Sequence, residues 1–174
     1  MIPKQYRFLL DEPAPRMLIE ALKLHGTDEK PGPKSNPEIL GWAEECGLRN
    51  VYTNDGIAWC GLFMAVVAKR AGKPLPKSPL WARDWLNWGE KADRPMLGDV
   101  MVWARGSGGH VAMYVGEDKT HYHILGGNQS DTVNIVRKSK TGFLGARRFY
   151  AIGQPTNVRV VKLSASGALA GSEA

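Results

Sequence analysis

A chain of 174 residues, 43% hydrophobic and 23% charged, has the length of one domain and enough apolar content to bury a full core without staples. Two cysteines exclude a disulfide framework, and no apolar run approaches the ~18–20 residues that a membrane span needs. A net charge of +6 suits an anionic partner such as nucleic acid, a membrane surface or an acidic wall polymer. The basic residues are scattered, however, with local clusters only at Arg137-Lys138-Ser139-Lys140 and Arg147-Arg148. No recognition-helix or aromatic RNA-binding signature accompanies them, so solubility explains the charge equally well and a nucleic-acid partner is not expected. The opening residues, Met1 to Arg7, lack the apolar core and cleavage site of a secretory signal. The expectation is a protein made in the cytoplasm that leaves it by a route needing no such signal.

In chain order, residues 1–12 read as a loosely attached lead-in. From Pro13 to Leu24 the spacing of Met17, Leu18, Ala21 and Leu22 is helical, with Gly26 as the stop. Asn36 and Pro37 are an N-cap and a first helical residue for a second helix, which ends at Gly47. A third helix carries Cys60 in its first turn, with Leu62, Phe63, Val66 and Val67 on one face and Gly72 at its end. Asn54, Asp55 and Gly56 are turn and N-cap residue types just upstream. Ser78-Pro79 repeats the cap-then-proline signal for a short helix to Gly89, on which Trp81, Trp85 and Trp88 form one stripe. Such a stripe is a core face, or else one edge of it walls a sugar- or peptide-binding groove.

From Pro95 the period changes to strands, predicted at Asp99–Trp103, His110–Val115, His121–Leu125, Val133–Arg137 and Arg148–Ile152. Short turns between them predict an antiparallel meander, and helices followed by sheet predict an α+β fold. The domain is expected over residues 13–154, with residues 155–174 a largely disordered tail rich in Ser, Ala and Gly.

A thiol at a helix N-terminus feels the positive end of the macrodipole, which favours its thiolate. Cys46 sits instead at the end of a helical pattern, where the dipole disfavours one. Cys60 is therefore the candidate nucleophile. His110, after Gly108-Gly109 at a strand start, is placed to act as its base. Asn128 lies about one hairpin away, and its carbonyl is a candidate acceptor for the His110 ring N–H, fixing tautomer and orientation. Read alone, Asn128 is equally a turn residue supplying positive φ.

These segments resemble the NlpC/P60 and CHAP superfamily, the papain-like cysteine peptidases and amidases of bacterial cell walls. The resemblance rests on Trp59-Cys60 opening an apolar helix, Gly98-Asp99-Val100, Gly109-His110-Val111 followed by Val115-Gly116, and Gly126-Gly127-Asn128-Gln129. Upstream, Glu29-Lys30-Pro31-Gly32 followed by Asn36-Pro37 and Ile39 is similar to the phage-associated branch. It covers roughly residues 17–150. It implies a papain-like fold with N-terminal helices packed on an antiparallel sheet of about five strands. It also implies Cys60 as nucleophile, His110 as base and Asn128 as the third polar residue. The activity implied is hydrolysis of an amide in the peptidoglycan stem, by an endopeptidase or an N-acetylmuramoyl-L-alanine amidase, with no cofactor or metal. Such an enzyme would act at the wall or periplasm after release by a holin or a secretion system, and nothing in the reading demands more than a monomer. Many members carry Asp or Gln before the cysteine where this chain has Trp59. The oxyanion donors are then expected from the Cys60 backbone N–H, assisted by Asn54 or Asp55. Trp59, Asp55, Gln129 and Trp81 are the expected substrate-contacting residues.

Two other readings use the same residues. A zinc-dependent amidase would gather His110, His121 and His123 with Cys60, although no His-Glu-x-x-His or paired-Cys spacing is present. A non-catalytic wall-binding module would keep the Trp81, Trp85 and Trp88 face and need no Cys60.

Overall fold

The computed structural model describes residues 1–170. Its α-helices are α1 (Arg16–Lys23), α2 (Pro37–Glu45) and α3 (Cys60–Arg70), with 3-10 helices at Lys4–Asp11 and Ala82–Asn87. The strands are β1 (Glu90–Ala92), β2 (Val100–Arg105), β3 (Gly108–Glu117), β4 (His121–Gly126), β5 (Asn134–Ser139) and β6 (Phe143–Arg148). All strand pairs are antiparallel, in the order β1-β6-β2-β3-β4-β5. The class is α+β. No helix among the described residues is long and apolar enough to cross a membrane.

The sheet has six strands rather than about five, and it is not a simple meander. β2 to β5 follow one another, but β6 returns to pair with β2 on the far side. Across a flat sheet, β5 and β6 would be four strand spacings apart, about 19 Å. Residues 140–142 alone join them, a link that reaches at most about 15 Å. The sheet therefore curls until its two sides approach. Rings fill the inside of that curl: Trp103 lies 5.5 Å from Phe143 and 6.1 Å from Tyr122, and Tyr122 lies 5.2 Å from Phe143. The Trp103 indole N–H donates to the Ser139 carbonyl across the gap (3.0 Å). The expected last strand at Arg148–Ile152 is thus shifted to Phe143–Arg148, because Phe143 belongs to this aromatic cluster and Phe149 packs on Trp88 instead.

α3 is buried from Cys60 through Ala68 rather than on one face, because it packs against α1, α2, β3 and β4 together. Its N-cap position is Trp59, with no side-chain cap. Asn54 instead closes a tight turn, accepting from the Gly56 N–H at 3.1 Å. α2 starts as expected, with the Asn36 side chain accepting from the Glu38 N–H at 2.8 Å.

The tryptophan stripe divides. The segment is a 3-10 helix, in which residues three apart share a side, so Trp85 and Trp88 stay buried with rings 5.6 Å apart. Trp81 precedes the helix on extended backbone and is 58% exposed.

Both expected loose ends are packed. Tyr6 and Leu9 of the first 3-10 helix are buried, and the Tyr6 hydroxyl lies 2.8 Å from His123 Nδ1. Residues 157–170 run back along the domain. Val158 and Val161 are buried, Arg159 pairs with Glu12 (2.7 Å), and the Glu117 and Arg137 backbones bond to residues 161, 163, 168 and 170. Backbone pairing to the sheet holds this stretch where composition alone suggested disorder; the last four expected tail residues, 171–174, lie outside the described residues.

Asp99, fully buried at the start of β2, accepts from Arg148 Nε (3.0 Å) and Nη2 (2.6 Å) and from the Met96 N–H (2.8 Å). Arg148→Ala would leave this carboxylate buried beside a single amide. The expected loss is about 3–5 kcal/mol, read as a lower urea midpoint with an unchanged denaturant slope.

Candidate active site

His110 is the third residue of β3, opposite Trp103 on β2, and is 1% exposed. Its Nε2 lies 3.1 Å from Gln129 Oε1. The residue placed to orient the imidazole is therefore Gln129, not Asn128. Asn128 has φ of 56° and is the positive-φ turn residue of its other reading. That turn sends the next side chain, not its own, over the sheet.

Gln129 is itself held. Its Nε2 donates to the Asn134 carbonyl (2.8 Å) and to Asn134 Oδ1 (3.0 Å), while Asn134 Nδ2 donates to the Gln129 carbonyl (3.1 Å). With its amide nitrogen committed to two acceptors, Gln129 turns Oε1 to the imidazole. The imidazole must then donate, so Nε2 carries the proton and Nδ1 is the basic nitrogen of the neutral ring. Asn134 was not expected; its one sequence signal is a polar residue between Val133 and Ile135 at a strand start.

The loop carrying Gln129 is unusual. Asn128, Ser130 and Asp131 all have positive φ, an uncommon state for non-glycine residues. Neighbouring backbone holds it there: Glu29 N–H donates to the Asp131 carbonyl (2.7 Å) and Val133 N–H to the Thr27 carbonyl (2.8 Å). The Glu29 carboxylate in turn accepts from the Trp59 indole N–H (2.9 Å), tying this loop to the start of α3.

Cys60 opens α3 and is 7% exposed. Two segments bracket it with His110. On one side, a Cβ on Gly127 would fall 2.6 Å from the Phe63 side chain and 2.7 Å from the Trp59 ring, so the chain leading to Gln129 lies directly on the first turn of α3. On the other, a Cβ on Gly61 would fall 2.5 Å from the Pro79 carbonyl, and one on Gly109 3.1 Å from Arg83. Residues 79–83 thus pass from the neighbour of Cys60 to the neighbour of His110. Neither cysteine is in a disulfide. Cys46 is the C-cap of α2, and burial followed by the Glu45 charge raises its thiol to about 11.

Burial, and then the positive charge of Lys138, pull the His110 imidazole down to about 3; Gln129 opposes this and Arg105 adds to it. At neutral pH the ring is a neutral imidazole with one defined tautomer.

Three of the four expected substrate contacts are differently employed. Trp59 is fully buried, tilted against Trp42 with centroids 6.0 Å apart. Asp55 is 2% exposed and accepts from the Asn36 N–H (2.7 Å) and the Lys30 N–H (3.0 Å), stapling the loop before α2. Asp55 is held as an acceptor and is not an oxyanion donor, while the Asn54 amide nitrogen points to Thr53 Oγ1 (3.4 Å). Gln129 holds the histidine. Trp81 alone presents an open surface. The zinc set does not assemble either. His123 is enclosed between Tyr6 and Asp118, His121 Nδ1 lies 2.7 Å from Thr120 Oγ1, and no group of three or more possible ligands forms among the described residues.

Compared with models of known protein families and with curated proteins, the chain matches none.

Long-range proton–nitrogen spectra are expected to show the His110 ring as the Nε2–H tautomer, and Asn134→Leu to produce a mixture of tautomers. Because the folded value lies below the ordinary 6.5, the unfolded chain takes up the proton first as pH falls. The stability carried by neutral His110 is complete above about 6.5 and is lost progressively as pH falls toward about 3. His110→Gln should therefore flatten unfolding free energy against pH within that window.

Proposed function

We propose that this protein is a cysteine hydrolase of the papain-like NlpC/P60 and CHAP kind, cleaving an amide bond in the peptide stem of bacterial peptidoglycan. The observation that carries the reading is the Gln129–His110 contact, locked from behind by Asn134, on a strand packed against the helix that Cys60 opens. Nucleophile, base and orienter is the division of labour that acyl transfer by a thiol requires. The resemblance of the motifs to wall-acting enzymes supplies the substrate class.

In the proposed reaction, the Cys60 sulfur attacks the amide carbonyl carbon while its proton passes to His110 Nδ1. Gln129 Oε1 keeps the ring from turning and accepts from Nε2–H throughout. The first turn of α3 turns the positive end of its dipole and its backbone N–H groups to the developing oxyanion. The imidazolium returns its proton to the leaving amine as the C–N bond breaks, giving a thioester. Water, deprotonated by His110, then releases the carboxylate and regenerates the thiol. A buried imidazolium flanked by Lys138 and Arg105 is costly, so the proton is held only transiently, between attack and departure.

Digestion of purified walls followed by mass spectrometry of the fragments tests this directly. New peptide termini are expected with the wild type and none with Cys60→Ala. Gln129→Ala should lower kcat by about 10²–10⁴-fold, the range of the acid–base contribution that depends on the ring Gln129 orients. Thiol alkylation should abolish release and strong chelation should leave it intact; no new fragment from the wild type would end the proposal.

A further inference from the structure

Of the six tryptophans, five are 0–4% exposed and Trp81 is 58% exposed. An indole left in water forgoes the burial that the other five have, so its place calls for a reason. The segment that presents it is fixed on every side. Trp81 N–H donates to the Ser78 carbonyl (2.9 Å), and Asp84 N–H donates to the Trp81 carbonyl (3.0 Å). The Trp85 indole N–H donates to the Pro79 carbonyl (3.0 Å). Arg83 donates from Nε to the Gly108 carbonyl (2.5 Å) and from Nη2 to the Gly106 carbonyl (2.9 Å), fastening the segment to the turn before His110.

Beside the Trp81 ring is a cavity of about 280 Å³, lined also by Ser78, Arg83, Asp84 and Asn87. Asp84 accepts from the Ser78 N–H (2.6 Å) and from Asn87 Nδ2 (2.9 Å). A carboxylate has about four acceptor sites, so capacity remains for hydroxyl donors. The same segment touches Gly61 on one side and Gly109 on the other, the neighbours of Cys60 and His110.

We propose that Trp81, with Asp84 and Asn87, is a saccharide subsite that seats a sugar of the glycan strand whose peptide stem is cut at Cys60; the identity of that sugar as an N-acetylhexosamine rests on the hydrolase reading above. A flat indole face meets the C–H face of a pyranose, and a carboxylate and an amide at its edge meet the hydroxyls. A peptide side chain would find no closed apolar pocket in this lining. The platform is pre-organised, so little ordering opposes binding.

The test uses the full chain and a peptide-free N-acetylglucosamine tetramer, with a soluble stem peptide as the contrasting probe. Binding is followed by tryptophan fluorescence and by the indole N–H signals. The tetramer is expected to bind wild type and Cys60→Ala alike, to shift the Trp81 signal, and to bind Trp81→Ala at least 10-fold more weakly, with Trp81→Phe in between. The ratio of kcat/KM for glycan-linked over free stems should fall at least 10-fold in Trp81→Ala. No binding of the tetramer to wild type, equal binding to Trp81→Ala, or loss of stem-peptide rather than tetramer binding would each overturn the subsite. Tetramer binding that depends on Trp81 in a protein that cuts no wall would leave the subsite standing and remove the hydrolase.

Discussion

The short link between β5 and β6 is the constraint on which the architecture turns. Three residues, 140–142, cannot cross a flat sheet, so the sheet must curl, and the aromatic cluster of Trp103, Tyr122 and Phe143 occupies the space that curling creates. Trp103 is also the residue directly opposite His110 in the β2–β3 ladder, and opposed residues point to the same side of a sheet. The curl that buries Trp103 therefore also buries the imidazole. Lys138, paired with Tyr122 across β4 and β5, is brought near the same side, which is how a residue two strands away comes to weigh on the His110 charge.

Within that frame the site is a sequence of fixed contacts, each depending on the one behind it. Loop residues 27–29 hold the positive-φ turn of residues 128–131, the turn presents Gln129, Asn134 fixes which way its amide faces, and the amide fixes the tautomer of His110. Buried networks of this kind are rigid only when every member is satisfied. Here the Gln129 amide nitrogen, amide oxygen and backbone carbonyl all have partners. Glu29 links the same loop to Trp59, so the start of α3 and the histidine's support are tied together.

Much of this was legible in residue order. Helix starts at Asn36 and near Cys60, the change of period at Pro95, and the contrast between Cys46 and Cys60 all follow from local rules of capping, periodicity and dipole. The assignment of the orienting residue did not. Asn128 and Gln129 are adjacent amides, and which one reaches His110 depends on a backbone φ that neighbouring strands impose. Trp59 and Asp55 read as site residues from their positions beside Cys60, yet Glu29, Lys30 and Asn36, 19–30 residues away in the chain, claim their polar atoms. The termini read as loose because their partners, Tyr6 with His123 and Arg159 with Glu12, are more than 100 positions apart.

The sequence by itself determined the α+β class, the helix that Cys60 opens, the strand that carries His110 (though it starts two residues earlier, at Gly108) and the glycine-flanked turn that follows β4, because these depend on neighbours within a few residues. Only the tertiary structure decided that the sheet curls, that Gln129 and Asn134 rather than Asn128 stand behind His110, and that Trp81 alone of its stripe faces water. Those outcomes rest on contacts between distant segments and on a 3-10 rather than an α turn. Both are settled by packing energy, which no local pattern contains.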